Sequence, residues 1–192
     1  QPLGNAVGNA LEVKEALETL KGNGPSDLLE HCLTVASHML VIGEKAQDVQ
    51  TARIIIEKAL ADGKGLDKFR SMVENQGGDI RYVDNPELLP KAPVICEVTA
   101  PCTGYLSEIN AQTIGETSVE MGAGRITKED LIDHAVGIVI HHKVGDYVKT
   151  GEPLFTLHAK NQQSMETARE RVLNAHMWSH TPCEPLPLFY GV

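Results

Sequence analysis

The apolar positions of this chain change their period once, near residue 85. Before that point they recur at helical spacing. Val7, Ala10, Leu11, Leu17 and Leu20 predict a first amphipathic helix that ends at Gly22-Asn23-Gly24-Pro25. Ser26 reads as the N-cap of a second helix over about Asp27 to Ile42, with Asp27 and Glu30 at its positive end. Leu28, Leu29, Leu33, Val35, Met39, Leu40 and Val41 make that helix apolar on most sides, which predicts the centre of a helical core. Gly43 breaks it. A third helix is expected from Asp48 to Ala61, stopping at Gly63, and a fourth from Gly65 to Asn75, closed by Gln76-Gly77-Gly78-Asp79.

Asn85-Pro86-Glu87-Leu88-Leu89-Pro90-Lys91-Ala92-Pro93 carries three prolines and excludes helix and central strand. A domain boundary is expected there, giving a helical segment over 1–84 and a strand-rich domain over 85–192. Beyond it the period drops toward two. Val94, Cys96 and Val98 alternate, as do Tyr105 with Ser107 and Leu106 with Glu108. Val136 to Ile140 is a buried-strand candidate, Leu154 to Leu157 a final strand. Gly145-Asp146 and Lys149-Thr150-Gly151-Glu152 read as turns. Thr127 to Asp130 is expected as a capped helical turn, with Thr127 accepting from the backbone and Asp130 reaching back. Ser164 to Asn174 predicts an exposed, charged helix, and Thr181 to Pro187 an extended surface tail. The fold class is therefore α+β, in order of appearance.

Composition narrows the function classes. The 192 residues carry a formal charge of -9, which argues against a nucleic-acid partner, since neutralising phosphates needs clustered Lys and Arg. No apolar run approaches the roughly 20 residues of a membrane span. Cys32, Cys96, Cys102 and Cys183 form no CxxC pair. They predict reduced thiols and a cytoplasmic location, with Cys32 a buried small hydrophobe. His141 and His142 are adjacent, so on a strand they face opposite sides and do not share a metal.

Two stretches hold candidate chemistry. The Pro/Gly/Asn-rich opening, Gln1 to Asn9, runs into a helix and reads as the continuation of an upstream part that is not here. Its backbone carbonyls over Leu3 to Ala6, with a helix carboxylate, suit a hard cation. Glu12 and Glu15 lie on roughly one side of the helix, and spacing leaves both open. Thr99 to Leu106, followed by Val144 to Leu154, resembles the barrel-sandwich hybrid of biotinyl and lipoyl carriers. No Met-Lys-Met or Asp-Lys-Ala offers the swinging-arm lysine that a carrier needs. Gly122-Ala123-Gly124-Arg125 lacks P-loop and GxGxxG spacing, which leaves Arg125 as a candidate anion contact or part of a structural turn.

Taken together, Gln1 to Lys21, Gly24 to Gly43, Gln76 to Asp79, Met121-Gly122-Ala123-Gly124-Arg125, Asp133-His134-Ala135-Val136-Gly137 and Val144 to His158 resemble the C-terminal part of the pyrimidine-nucleoside phosphorylases. That family includes thymidine phosphorylase. The resemblance runs to about Asn174, with His176 to Val192 matching poorly. It implies reversible cleavage of uridine or thymidine by inorganic phosphate, giving free base and a pentose 1-phosphate. It also implies a homodimer with a cleft that closes between a helical and a mixed α/β domain. The helical segment would belong to that larger α/β domain, and the strand-rich part would be a barrel-sandwich-hybrid-like scaffold. Catalytic and substrate residues are then expected in an N-terminal half outside these residues. A potassium ion shared with that half would take the carbonyls of Leu3 and Ala6 and the carboxylate of Glu15. The alternatives are a biotinyl- or lipoyl-like carrier module without enzymatic activity, and an assembly fragment.

Overall fold

The computed structural model describes residues 1–190; Gly191 and Val192, the end of the expected strand-rich domain, lie outside the described residues. The chain divides into two compact units, Gln1–Val13 with Leu89–Val192, and Lys14–Leu88. Helix and sheet are both well represented, as the α+β expectation requires.

The helical unit holds most of α1 (Ala10–Leu20), whose first turn belongs to the other unit. It continues with α2 (Ser26–Ile42), α3 (Val49–Ala61), α4 (Lys64–Asn75) and the short α5 (Arg81–Asp84). Asp48 caps α3 by accepting from the Thr51 amide at 2.7 Å. Gly63, at φ 75°, makes the reversal into α4. α2 starts one residue earlier than its sequence predicts. Pro25 holds the cap position without a side-chain bond, and Ser26 is already helical. Nor is α2 the centre of a core. Only Leu33 and Ser37 are buried in it, while Val35, Met39 and Ile42 are exposed. Cys32 is exposed as well, against the expectation of a buried thiol. α2 packs chiefly on α3, so one stripe is covered and the rest of its apolar surface is not. The proline-rich boundary contains one 3-10 turn, Pro86–Leu88, where Pro takes the first position it tolerates.

The β-rich unit contains two open antiparallel sheets. β1 (Ala6–Gly8), β4 (Gly137–Ile140), β6 (Pro153–Ala159) and β2 (Val94–Thr99) form one, in that order. β5 (Tyr147–Val148), β3 (Gly104–Ile109) and β7 (His176–Ser179) form the other. β1 and β2 each have a single partner, as do β5 and β7, so neither sheet closes and the barrel-like part of the expectation is not met. The core collects Leu106 from the smaller sheet, Ile138, Ile140, Phe155 and Leu157 from the larger, and Ile114 and Val172 from two helices. Those helices are α6 (Ala111–Ser118), capped by Asn110, and α7 (Gln162–Asn174), capped by Asn161. α7 is exposed on one face only, for Met165, Ala168 and Val172 are buried. No described helix is long and apolar enough to cross a membrane.

Candidate functional site

The opening loop is built against one segment of the β-rich unit. β1 pairs with β4, placing Ala6 opposite Val139. The Ile140 amide donates to the Asn5 carbonyl at 2.9 Å, so Asn5 and Ile140 are a hydrogen-bonded pair. Antiparallel pairs alternate, which makes Ala6 a non-hydrogen-bonded position. Its carbonyl therefore points away from β4, across the outer edge of the sheet. The same alternation applies to Gly8, whose amide is taken at 2.8 Å by the Glu12 carboxylate. Glu12 thus secures the start of α1.

Leu3 lies between two carbonyls that face a single cation. Lys143 Nζ donates to Pro2 O at 2.9 Å and, at shorter range, to Gly4 O. Val144 N donates to Gln1 Oε1 at 2.8 Å. Leu3 is exposed and Ala6 is buried. Glu15 stands on α1 in the helical unit, half-buried, and its backbone carbonyl accepts from Thr19 Oγ1 at 2.8 Å. Backbone carbonyls and a carboxylate are the hard oxygen donors that potassium takes. The carbonyls gathered on the ammonium are those of Pro2 and Gly4, the neighbours of Leu3, rather than those of Leu3 and Ala6 themselves. Among the described residues no group of three or more His, Cys, Asp or Glu comes together as a metal centre. His141 instead bonds Thr156 Oγ1 at 2.8 Å, and His142 lies 3.6 Å from Asp146.

The separate sequence motifs meet at this loop. Asn9 Nδ2 donates to Ala123 O at 2.7 Å, Asp133 N to Gly122 O at 2.9 Å, and Ala10 N to His134 O at 3.1 Å. Gly8 and Gly137 cross so closely that a Cβ on Gly137 would stand 2.5 Å from Val7 O, and one on Gly8 2.7 Å from Val136 O. The Gly-rich run is a wide helical turn, Val119–Ala123, which Gly122 leaves at φ 115°. Arg125 is exposed, and its charge helps hold the Asp130 carboxyl below the usual range, after the larger effect of the Thr127 backbone bond. Residues 127–130 form a turn rather than a helix. Asp130 accepts from the Thr127 amide as expected, but the Thr127 hydroxyl donates to Asp130 instead of accepting from the backbone.

Comparison with known proteins follows the same residues. Residues 105–178, from β3 into β7, match the family described as pyrimidine nucleoside phosphorylase C-terminal domain. The chain is 46% identical over 190 residues to a protein of Geobacillus stearothermophilus named pyrimidine-nucleoside phosphorylase, covering 99% of the chain and 44% of that relative. Proteins of the same name from Staphylococcus haemolyticus and Staphylococcus aureus are 51% and 49% identical over 162 residues, covering 84% of the chain and 37% of each relative. The likeness thus continues past Asn174, where the sequence alone suggests it ends. The chain spans less than half the length of these relatives. A family-specific domain over 105–178 and nearly one identical residue in two along the chain place it in the pyrimidine-nucleoside phosphorylase family.

Proposed function

We propose that the chain is the C-terminal portion of an enzyme that reversibly cleaves pyrimidine nucleosides with inorganic phosphate, releasing the base and a pentose 1-phosphate. The observation that carries this reading is the 46% identity over 99% of the chain to a named pyrimidine-nucleoside phosphorylase. The groups that bind phosphate, base and pentose lie outside these residues. The helical segment belongs to the larger central domain of the enzyme, and the β-rich unit is a scaffold for it. The working enzyme is a cytoplasmic homodimer.

In this reading Leu3 and Ala6 offer carbonyls, and Glu15 a carboxylate, to a potassium ion. When bound, that ion supplies a fixed positive charge that orders backbone beside a polyanionic ligand. This chain's own part is to hold the carbonyls: β1 pairing directs that of Ala6 outward, and the anchored loop sets that of Leu3.

The test is phosphorolysis by the full-length polypeptide, followed by base release from uridine and thymidine with and without phosphate. Phosphate-dependent release from either is expected; none from both overturns the proposal. The 192-residue chain alone is expected to be inactive, and turnover by a mass-verified sample of it would refute the placement of the reacting groups. In the full-length enzyme Glu15→Ala should weaken activation by potassium while leaving thermal stability in choline chloride close to the parent. An unchanged potassium response removes Glu15 from the site.

A further inference from the structure

We propose that Lys143 is a positioning residue of the cation loop, setting the carbonyl of Leu3 from a place more than 130 positions away in sequence. The inference rests on the potassium reading above and adds to it a residue that neither loop composition nor family likeness singles out.

Hydrogen bonds from residues 140–144 hold residues 1–5, and Lys143 Nζ donates two of them. Its ammonium draws Pro2 O and Gly4 O, the carbonyls on either side of Leu3, onto one nitrogen. Gly4 accommodates this at φ 68°, a conformation that a residue with a Cβ adopts at a cost. With both flanking peptides fixed, the peptide between them has little freedom left. Next along the chain, the Ile140–Asn5 bond sets the register that turns the Ala6 carbonyl outward. The two candidate ligand carbonyls are thus set by adjacent anchors from one segment.

The anchor itself is held in place. Asp146 Oδ2 accepts from Lys143 N at 2.8 Å, and Asp146 N donates back to Lys143 O at 3.1 Å, closing a turn. Gly145 N and Leu106 N tie that turn to β3, through bonds to Leu106 O at 2.8 Å and Asp146 O at 3.0 Å. A half-buried lysine on such a turn suits the task, because its tetrahedral ammonium can aim separate donors at separate carbonyls.

Charge works against this role. A fixed ammonium near a potassium ion repels it, so removing Lys143 relieves a repulsion and loses a geometry. The two effects have opposite signs, which makes the outcome decisive. The experiment is thermal melting of the full-length protein, parent and Lys143→Met, titrated with potassium chloride against choline chloride at constant ionic strength. The parent is expected to gain stability from potassium and not from choline. In Lys143→Met the potassium concentration at half-effect should rise about tenfold, the order that losing a charge-assisted hydrogen bond implies, with the full gain reached at saturation. An unchanged or lowered half-effect concentration overturns the role of Lys143 while the potassium site stands. A parent that does not respond to potassium removes the site, and the role of Lys143 with it. Should Lys143→Met not melt cooperatively, Lys143→Arg serves: its larger head holds its donors in one plane instead of the tetrahedral spread of an ammonium and so displaces the two carbonyls, its half-effect concentration should also rise, and an unchanged value overturns the proposal.

Discussion

His176 is a buried imidazole with one committed nitrogen. Its Nδ1 lies 2.7 Å from Val172 O and so carries the proton, while Nε2 has no hydrogen-bond partner among the described residues. The ring stacks on Phe155, with centroids 5.6 Å apart. Burial lowers its pKa, opposed by the Val172 bond and reinforced by His142. The unfolded chain takes up this proton near pH 6.5, whereas the folded chain resists it until lower pH. Stability from this group is therefore complete above about pH 6.5 and is lost as pH falls below it, at up to about 1.4 kcal/mol per pH unit. His141, lowered chiefly by burial, adds a term of the same sign. Urea unfolding between pH 7.5 and 5 should show a shallower decline in His176→Phe than in the parent, and parallel curves would remove His176 as a source. A second residue-scale prediction concerns the glycine crossing. Gly137→Ala sets a Cβ against Val7 O and should cost more than about 2 kcal/mol. Gly151→Ala, at φ 85° with open space around it, should cost about 1 kcal/mol from backbone strain alone. Equal losses would mean the crossing relaxes. Leu3, Ala6 and Glu15 enter as candidates through family resemblance alone, while Lys143 leaves no local pattern in the sequence, because its bonds to Pro2 and Gly4 join residues about 140 apart.

At the scale of elements, legibility followed local signals. α3 was legible because Asp48 caps it and Gly63 ends it, and β2 because Val94, Cys96 and Val98 face inward while Ile95, Glu97 and Thr99 are exposed. β3 was harder: a bulge between Leu106 and Glu108 puts Leu106 and Ile109 both inward, which breaks a period of two. α6 went unpredicted although Asn110 is a good cap, since its eight residues offer only Ile114 as a large apolar side chain. β7 went unpredicted because its four residues become a strand only by pairing with β3. Caps give the prediction at this scale. Asn161 accepts from the Ser164 amide at 2.8 Å, so Asn161→Ala should cost about 1 kcal/mol in urea unfolding. Ser26 resembles a cap in sequence but sits inside α2, and Ser26→Ala should change stability by less than about 0.5 kcal/mol. A larger loss at Ser26 than at Asn161 would reverse this assignment.

At the scale of the molecule, the two units differ in how much apolar surface they bury. The contiguous core lies wholly in the β-rich unit, where Ile138, Ile140, Phe155 and Leu157 are fully buried. In the helical unit the buried apolar side chains are Leu17, Leu33, Ala52 and Val83, two of them small or β-branched. Met39, Ile42 and Ile54 are 65%, 82% and 66% exposed, so residues of core type stand in water. Burial is the main favourable term in folding, at about 25 cal/mol per Å² of apolar surface, and hydrogen bonds of helices alone contribute little net stability. The helical unit should therefore open at lower free energy than the β-rich one. Native-state hydrogen exchange on the 192-residue chain measures this directly. Amides of β4 and β6 should exchange slowest, and those in the middle of α2 and α3 should exchange through openings of clearly lower free energy. Adding the remainder of the full-length polypeptide should slow the α2 and α3 amides if that remainder covers Met39, Ile42 and Ile54. Equal protection of the two units in the chain alone would mean that the helices hold themselves together without a partner, and that the exposed apolar side chains are surface rather than an uncovered core.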